Sequence, residues 1–362
     1  MNIEDFYKYK FDMLNDLKTL VEMETPSYNK ELLDKFAFYI YKYIENNIGI
    51  KPEIIESREN GNDIRLYINK NSNKNVLLLC HYDTVFDEGT IIKRPFRISD
   101  GKAYGPGIFD MKSGIIETIY ALKFGLNEIN KNIVLLITSD EEIDSKFSRD
   151  IIENEAKNAD YALVMEPSLN GFLKTERSGV GTIKITVHGK SAHAGLDPEK
   201  GINAIYELFD LIPLIKSLNN GKRKLNLDII HGGTRSNVIP DLCYGILDLR
   251  FNEYNDDKYV IEKLREKNQN IEIDANVRPP MIKNKETSKI MEKIKKICSE
   301  NKIMIGEASV SGASDGNFCS YYCPVIDGLG AVGDGAHSDN EYIIVNSLPE
   351  RAFLLYMILK NI

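Results

Sequence analysis

Short apolar runs that each lead to a histidine or an acidic residue constrain this chain more than any other feature. The run at 76–80 is followed by His81, the run at 133–138 by Glu141 and Glu142, the run at 161–165 by Glu166, and the run at 324–329 by His337. Buried parallel strands are short and continuously apolar, and open α/β sheets bind ligands beyond the carboxyl ends of their strands. The pattern therefore predicts a sheet edge that collects imidazoles and carboxylates, which are metal-binding side chains.

The order of the predicted elements indicates two domains. Between 76 and 166 strands alternate with helices, which is typical of a mostly parallel sheet. From 177 onwards apolar and polar residues alternate instead, with strands at 181–188, 225–230, 243–251 and 271–275 and helices at 201–218 and 259–267. We predict an α/β catalytic domain with a mostly parallel, mixed sheet (1–176 plus 286–362) and an inserted α+β domain (177–285). The insertion has a βαββαβ-like order of four antiparallel strands and two helices.

Composition excludes several classes of protein. The 362 residues carry a formal charge of −8, whereas nucleic-acid-binding proteins usually present a basic face. No apolar stretch approaches the roughly 20 residues of a membrane span, and the N-terminus has no signal-peptide pattern. The five cysteines are scattered and do not resemble a disulfide framework. We therefore expect a cytoplasmic protein that acts on a small substrate, with no nucleic-acid or membrane partner.

Three short motifs carry the candidate chemistry. His81 and Asp83 face the same way on a strand, so Asp83 could fix the tautomer of His81, although a loop with incidental polar residues explains the pair as well. Asp110 either caps the helix that begins near residue 113 or bridges two metal ions. Glu141 and Glu142 are adjacent carboxylates that repel each other, so one could bind a metal while the other acts as a general base.

A charge balance favours combining these residues in one site. Two divalent cations would bring four positive charges, and Asp110, Glu142, Glu166 and a bridging hydroxide would supply four negative ones. His81 and His337 would complete the coordination as neutral ligands, a mixture that suits zinc.

Seven stretches carry a resemblance to a known family: HYDTVF (81–86), YGPG (104–107) with DMK (110–112), SDEE (139–142), MEPS (165–168), GKSAHAG (189–195), SNVIP (236–240) and AHSD (336–339). They resemble the M20 family of zinc peptidases and deacylases, in particular its glutamate carboxypeptidase (carboxypeptidase G2-like) branch. The resemblance runs colinearly over nearly the whole chain. It implies a zinc-peptidase catalytic domain and an inserted, ferredoxin-like lid and dimerisation domain.

The resemblance also implies the metal ligands. Asp110 would bridge two zinc ions per subunit, which Co²⁺ or Mn²⁺ could replace. One zinc would also bind His81 and Glu166, and the other would bind Glu142 and His337. The family usually has a cis peptide after the bridging aspartate, which here is the bond between Asp110 and Met111.

Further roles follow from the same resemblance. Glu141 would be the general base for a bridging hydroxide nucleophile, with Asp83 beside His81. His193, which on its own reads as a loop histidine, would be an oxyanion donor from the partner subunit, and this implies a homodimer built through the inserted domains. Asn237, Arg250 and Gly312 would bind the substrate: Arg250 suits a carboxylate, although a surface salt bridge is an equal alternative, and Gly312 matches a glycine-rich loop of the pocket.

The resulting prediction is a co-catalytic di-zinc hydrolase that releases a C-terminal amino acid, with glutamate as a candidate, from a peptide or an N-acyl amino acid. The alternative within the fold is an N-acyl-amino-acid deacylase of the acetylornithine deacetylase or succinyl-diaminopimelate desuccinylase type. A more distant alternative is a non-catalytic binding or dimerisation module, which should have lost a ligand or the base.

Overall fold

The computed structural model describes residues 1–268 and 270–362. The chain divides into two compact units. The first unit comprises Met1–Glu176, Lys283–Ser309 and Ser314–Ile362, and the second comprises Arg177–Ile282 and Val310–Ala313. The predicted insertion, 177–285, and the second unit differ at Lys283–Lys285 and at Val310–Ala313.

The secondary structure alternates between helices and strands along much of the chain. The α-helices are α1 (Ile3–Tyr7), α2 (Lys10–Glu22), α3 (Lys30–Ile48), α4 (Thr90–Lys93), α5 (Ser113–Gly125), α6 (Arg149–Ala156), α7 (Ala204–Phe209), α8 (Ile212–Ser217), α9 (Asp256–Lys267), α10 (Lys285–Glu300), α11 (Gly316–Cys319) and α12 (Ser347–Asn361). The strands are β1 (Glu53–Ile55), β2 (Asp63–Ile68), β3 (Asn75–His81), β4 (Arg97–Ser99), β5 (Lys102–Tyr104), β6 (Asn132–Thr138), β7 (Tyr161–Val164), β8 (Leu173–Arg177), β9 (Gly179–His188), β10 (Arg223–Gly232), β11 (Leu242–Phe251), β12 (Ile271–Arg278), β13 (Glu307–Val310), β14 (Val325–Ile326), β15 (Gly333–Asp334) and β16 (Tyr342–Ile344). Within the described residues, no helix combines the length and the apolar character that crossing a bilayer requires.

The first unit is built on a six-stranded mixed sheet in the order β1-β2-β6-β3-β7-β14. Strands β6, β3, β7 and β14 are parallel, and β1 and β2 add an antiparallel edge. Every residue of β3 from Val76 to His81 is buried. Because alternate residues of a strand point to opposite faces, both faces of the sheet are covered, as the continuous apolar runs predicted.

The parallel register brings several chain segments to one edge of the sheet. His81 at the end of β3 pairs with Thr138 at the end of β6, and Leu79 of β3 pairs with Val164 at the end of β7. The residues that follow these strands therefore leave the sheet side by side. The last of the four predicted parallel strands, 324–329, is observed only as the shorter strand β14. It is shorter because Asp327 leaves the sheet to pair with Lys174.

A second sheet in the first unit was not predicted from the sequence. It contains β15-β16-β5-β4, all antiparallel, and Tyr342 of β16 pairs with Tyr104 of β5. Each of its strands has only two or three residues, too few to give a periodic pattern in the sequence. This small sheet matters because the hairpin between β15 and β16 carries His337.

The second unit contains a four-stranded antiparallel sheet in the order β10-β11-β9-β12. This βαββαβ order is the ferredoxin-like arrangement, and it confirms the predicted fold class of the insertion. Strand β9 alternates buried and more exposed residues along its length, with Ile183, Ile185 and Val187 fully buried. Those side chains join the core that α7, α8 and α9 form against the sheet.

The prediction of a single helix over 201–218, and so of two helices in the insertion, is wrong. The segment forms α7 and α8, which are separated after Phe209. Pro213 lies in the first turn of α8. A proline there has no N–H to donate, and its ring would clash with the carbonyl of Phe209 if the helix continued.

Each unit has a hydrophobic core of its own. In the first unit, α5 packs against α12, α2 and α3, and its apolar residues join those of β3. The five cysteines are all buried as free thiols, so they contribute small packing side chains rather than cross-links.

Candidate metal centre

Asp110 lies at the middle of a cluster of imidazoles and carboxylates in the first unit. It belongs to the turn Ile108–Lys112, which leads directly into α5 and has non-helical backbone at Asp110 and Met111. Its Oδ1 lies 3.2 Å from Nε2 of His81, at the end of β3, and its Oδ2 lies 3.3 Å from Nε2 of His337. The two oxygens of one carboxylate thus face two different histidines.

Each histidine is accompanied by one further carboxylate. Glu166, two residues beyond β7, has Oε1 3.5 Å from Nε2 of His81. Glu142, in the turn after β6, has Oε1 3.1 Å from Nε2 of His337. The structure therefore brings together the five residues that the family resemblance implied as metal ligands, with Glu166 beside His81 and Glu142 beside His337.

The spacing of these atoms fits the geometry of zinc. Ligand atoms bound at 2.0–2.1 Å in a tetrahedral arrangement are separated from one another by about 3.4 Å. The nitrogen–oxygen separations of 3.1–3.5 Å within each set match that value. Ligand atoms of His81, Asp110 and Glu142 also lie within 4.8 Å of one another, as do those of His81, Glu141 and Glu166.

The members of the cluster shift one another's pKa values. Burial, with repulsion from Asp110, raises the pKa of Glu142 to about 8. Hydrogen bonds to Asp110 and Glu142 raise the pKa of His337 to about 11. Burial would raise the pKa of Asp110, but hydrogen bonds from His337 and His81 outweigh burial and hold it well below its usual value. The cluster thus concentrates negative charge that only bound protons or cations can neutralise.

Asp83 is fully buried and links two parts of the cluster. Its Oδ1 lies 3.3 Å from Nδ1 of His81, the ring nitrogen opposite the one that faces Asp110. The same carboxylate accepts the backbone N–H groups of Glu141 and Glu142, each at 3.1 Å, and the hydroxyl of Ser27 at 2.8 Å. Asp83 therefore holds the His81 ring and the turn that follows β6 in a fixed relation.

Glu141 is buried in a short 3₁₀ turn, Glu141–Ile143. The ends of the segment that carries this turn are tied to the buried carboxylate of Asp315: the Thr138 hydroxyl donates to it at 2.9 Å, and the Ser145 hydroxyl also hydrogen-bonds to it. Asp315 was assigned no role from the sequence. Its distance of well over a hundred residues from Thr138 hides this connection.

Glu341 is a second residue that sequence reasoning missed. Its carboxylate is 1% exposed and accepts the backbone N–H groups of Gly107 and Phe109, each at 2.8 Å, and of Asp110 at 3.0 Å. Burial raises its pKa to about 7. The Asp110–Met111 peptide of this turn is cis, as the family resemblance implied.

His193 and Asn237 lie side by side in the second unit, in two exposed loops. His193 forms an isolated bridge with Val238, and the backbone N–H of Ala194 donates to the carbonyl of Asn237 at 3.0 Å. Nδ1 of His193 accepts the backbone N–H groups of Gly195 and Leu196, both at 3.1 Å.

Arg250 and Gly312 also belong to the second unit. Arg250 makes a two-pronged contact with Asp248 on the same strand, with Nη2 2.8 Å from Oδ1 and Nε 2.9 Å from Oδ2. Its side chain lines a cavity of about 280 Å³ together with Ser178 and Ser311. Gly312 follows Ser311, and its carbonyl accepts a hydrogen bond from Arg177.

A mostly parallel α/β sheet with carboxylates and imidazoles gathered beyond its strands is an arrangement suited to binding metal ions. The model of peptidase family M20/M25/M40 matches residues 77–361, and the chain belongs to that family. It is therefore a hydrolase of the M20 metallopeptidase family, which confirms the family resemblance seen in the sequence.

Two kinds of relative support this assignment. Carboxypeptidase G2 of Pseudomonas sp. (strain RS-16) is 34% identical over 313 residues, which cover 81% of this chain and 75% of that protein. The solved structure of Sso-CP2, an M20 family metallo-carboxypeptidase from Sulfolobus solfataricus, has a TM-score of 0.75 at 20% identity and covers 96% of this chain and 98% of its own. YXEP of Bacillus subtilis, described as a dinuclear metal binding peptidase from the M20 family, has a TM-score of 0.69 at 13% identity and covers 97% and 98%. At these identities the solved structures establish the fold alone.

Proposed function

We propose that this chain is a co-catalytic di-zinc hydrolase that releases a C-terminal amino acid from a peptide or an N-acyl amino acid. The observation that carries the proposal is the position of Asp110, whose two oxygens face His81 on one side and His337 on the other. A carboxylate that bridges two cations needs this arrangement. The carboxypeptidase named among the relatives supports the choice of substrate.

The five side chains around Asp110 would hold the two ions. His81 and Glu166 would complete one position, and His337 and Glu142 the other. Bound zinc would polarise the scissile carbonyl and lower the pKa of the attacking water. The same ions would neutralise the carboxylates, among which burial, with repulsion from Asp110, raises the pKa of Glu142.

Glu141 would move the proton during hydrolysis. Its ligand-type oxygen lies within 4.8 Å of those of His81 and Glu166, and its backbone is fixed by Asp83. From this position the carboxylate would take a proton from the attacking water and deliver it to the nitrogen of the leaving amine.

His193 would stabilise the oxyanion of the tetrahedral intermediate. Because Nδ1 accepts two backbone N–H groups, the proton of the neutral ring resides on Nε2, which can then donate a hydrogen bond. The family resemblance assigns this donor to the partner subunit, so the proposal includes a homodimer.

The second unit offers a surface suited to that dimer. Strand β10 is at the edge of its sheet, and edge strands present unpaired backbone groups to other chains. Ile229 and Ile230 on this strand and Leu242 at the start of β11 are exposed apolar side chains. We propose that two copies of the second unit associate through this edge, and that the unit serves as lid and dimerisation domain.

Arg250 would bind the C-terminal carboxylate of the substrate, with Asn237 and Gly312 orienting the chain around it. The two-pronged contact with Asp248 shows that the guanidinium already presents the geometry that a carboxylate requires. On this proposal the substrate carboxylate competes with Asp248. The cytoplasmic location stays a prediction from the sequence.

The test is a substrate panel on zinc-loaded enzyme, comprising an acyl-glutamate, a dipeptide and acetylornithine, with the released amino acids identified. We expect release of the C-terminal amino acid from the first two substrates and loss of that activity on treatment with a chelator. Hydrolysis of acetylornithine alone would instead identify a deacylase. Purified protein that binds no divalent metal would contradict the proposal as a whole.

A further inference from the structure

We propose that Glu341 is a positioning residue for the metal centre, and that it acts by fixing the backbone of the turn that carries Asp110. Its carboxylate would keep the two oxygens of Asp110 directed at the two metal positions. The inference rests on the di-metal centre proposed above, and it assigns to that centre a residue that contacts neither the ions nor the substrate.

The contacts of Glu341 converge on a single turn. Oε1 accepts the N–H of Asp110 itself at 3.0 Å and that of Phe109 at 2.8 Å, while Oε2 accepts the N–H of Gly107 at 2.8 Å. One carboxylate thus holds three of the four residues from Gly107 to Asp110. A buried carboxylate that accepts several backbone N–H groups defines the position of all of them at once.

The turn needs such support because its backbone is not that of a regular helix. Asp110 has φ −113° and ψ 95°, and Met111 has φ −134° and ψ 36°. Gly107 has φ 69°, in the left-handed region that favours glycine. The N–H of Asp110 donates to Glu341 at 3.0 Å, and the non-helical backbone at Asp110 means that helix geometry does not set the direction of its side chain.

The small sheet explains why Glu341 reaches this turn. Tyr342 pairs with Tyr104 in the antiparallel ladder between β16 and β5. The residue before Tyr342 therefore lies beside the residues that follow Tyr104, which lead to Gly107. Register in the sheet, rather than chance contact between loops, sets the position of the Glu341 carboxylate.

The same hairpin loop holds Asp110 from two sides. His337, four residues before Glu341, contacts Oδ2 of Asp110, and Glu341 contacts its backbone nitrogen. A shift of this loop would move a predicted metal ligand and the backbone support of the bridging residue together. This short loop therefore supplies His337 to one histidine set and supports Asp110, which both sets share.

Glu341→Gln is the most informative variant because it keeps the size of the side chain. A glutamine offers only one acceptor oxygen, so it can hold the N–H groups of Phe109 and Asp110 or that of Gly107, but not both sets. Its NH₂ group then faces a backbone donor. Glu24→Gln is the matched control, since Glu24 accepts the backbone N–H groups of Gly89 and Ile91 at 2.8 and 2.9 Å in another turn of the first unit.

The experiment measures zinc affinity by chelator competition, the visible absorption spectrum of the cobalt-loaded protein, and kcat and KM. For Glu341→Gln we expect at least about tenfold weaker binding of one zinc, a shifted cobalt spectrum, and a lower kcat with little change in KM. Glu24→Gln should match the wild type in all of these measurements.

A Glu341→Gln protein with a lower melting temperature but unchanged zinc affinity and cobalt spectrum would overturn the inference, because Glu341 would then only satisfy buried donors. If that variant does not fold, Glu341→Asp replaces it; it keeps the charge but withdraws it by one methylene, and the same results would support or overturn the inference. Wild-type protein that fails to bind two metal ions would instead refute the proposed function.

Discussion

The candidate residues of the first unit and those of the second differ in how firmly they are held. Asp83 is fully buried and contacts His81, Ser27 and the turn after β6, and the side chain of Asp110 is 16% exposed between two histidines. In the second unit, His193 and Asn237 are exposed, and the side chain of Arg250 is 41% exposed. In the first set the carboxylates and His81 are largely buried, and His337, whose side chain is 51% exposed, still contacts Asp110 and Glu142. The second set presents its groups to the outside.

The functions proposed for the two sets of residues therefore depend on different contacts. The metal centre depends only on contacts within the first unit, so its geometry does not require assembly. The roles proposed for His193, Asn237 and Arg250 depend on what approaches them. Substitutions in the metal centre should therefore abolish activity in any assembly state. The effects of substitutions at His193, Asn237 or Arg250 should depend on the partner subunit.

Glu141→Gln should have the largest effect and should separate catalysis from metal binding. The variant keeps the proposed ligands but lacks the group that moves the proton, so we expect kcat to fall by about 10³-fold or more with zinc content unchanged. Zinc analysis and steady-state kinetics measure both quantities, with exposed Glu31→Gln as the control. Near-normal turnover would remove Glu141 from its role.

Asp110→Asn should reduce both metal content and activity. An amide carries no charge and has one acceptor oxygen, so it cannot bridge two cations, and we expect fewer than two zinc equivalents and activity reduced by about 10²-fold or more. Asp339→Asn is a suitable control, because Asp339 lies two residues from His337 with its side chain 91% exposed. Two tightly bound zinc ions in Asp110→Asn would show that the bridge is not needed.

The His193→Ala variant tests whether His193 acts in the site of a partner subunit. Removal of an oxyanion donor should lower kcat by about 10²-fold without affecting zinc content. If His193 acts across a dimer, subunits with His193→Ala and with Glu141→Gln, refolded together in equal amounts, should form mixed dimers with one intact site each.

Such a mixture should recover about a quarter of wild-type activity, because half of its dimers are mixed and half of their sites are intact. Each variant alone is the control. A mixture no more active than the sum of the separate variants would place His193 at the site of its own subunit, and a strictly monomeric active enzyme would exclude the dimer altogether.

Metal affinity should fall with decreasing pH. Hydrogen bonds to Asp110 and Glu142 raise the pKa of His337, and burial raises the pKa of Glu142, so this pair holds a proton at neutral pH that it must release to bind a cation. Affinity should rise with pH by about tenfold per pH unit for each displaced proton until that group's pKa is reached. Zinc titrations at several pH values measure this slope, and a pH-independent affinity would contradict it.

The sequence predicted the large sheet and its polar edge because both follow from local patterns. Apolar runs such as 133–138 identify buried strands, and the acids that follow them need no further information to be placed at the sheet edge. The division of helix 201–218 could also have been predicted, since Pro213 marks it.

Glu341 and Asp315 could not have been assigned in this way. Glu341 reaches Asp110 because β16 pairs with β5, and strands of three residues leave no periodic signal. Asp315 reaches Thr138 through tertiary packing between distant segments. A side chain that acts by hydrogen-bonding to the backbone of a distant segment leaves no characteristic spacing in the sequence.

The order in which the chain supplies the cluster has a consequence for biosynthesis. His81, Asp110, Glu142 and Glu166 precede the second unit, whereas His337 follows it, on the hairpin between β15 and β16. A nascent polypeptide on the ribosome therefore lacks His337 until the second unit and the hairpin between β15 and β16 have been synthesised. Prematurely terminated products that end before this hairpin would lack one side chain of the candidate metal centre, so the layout of the chain would delay assembly of that centre.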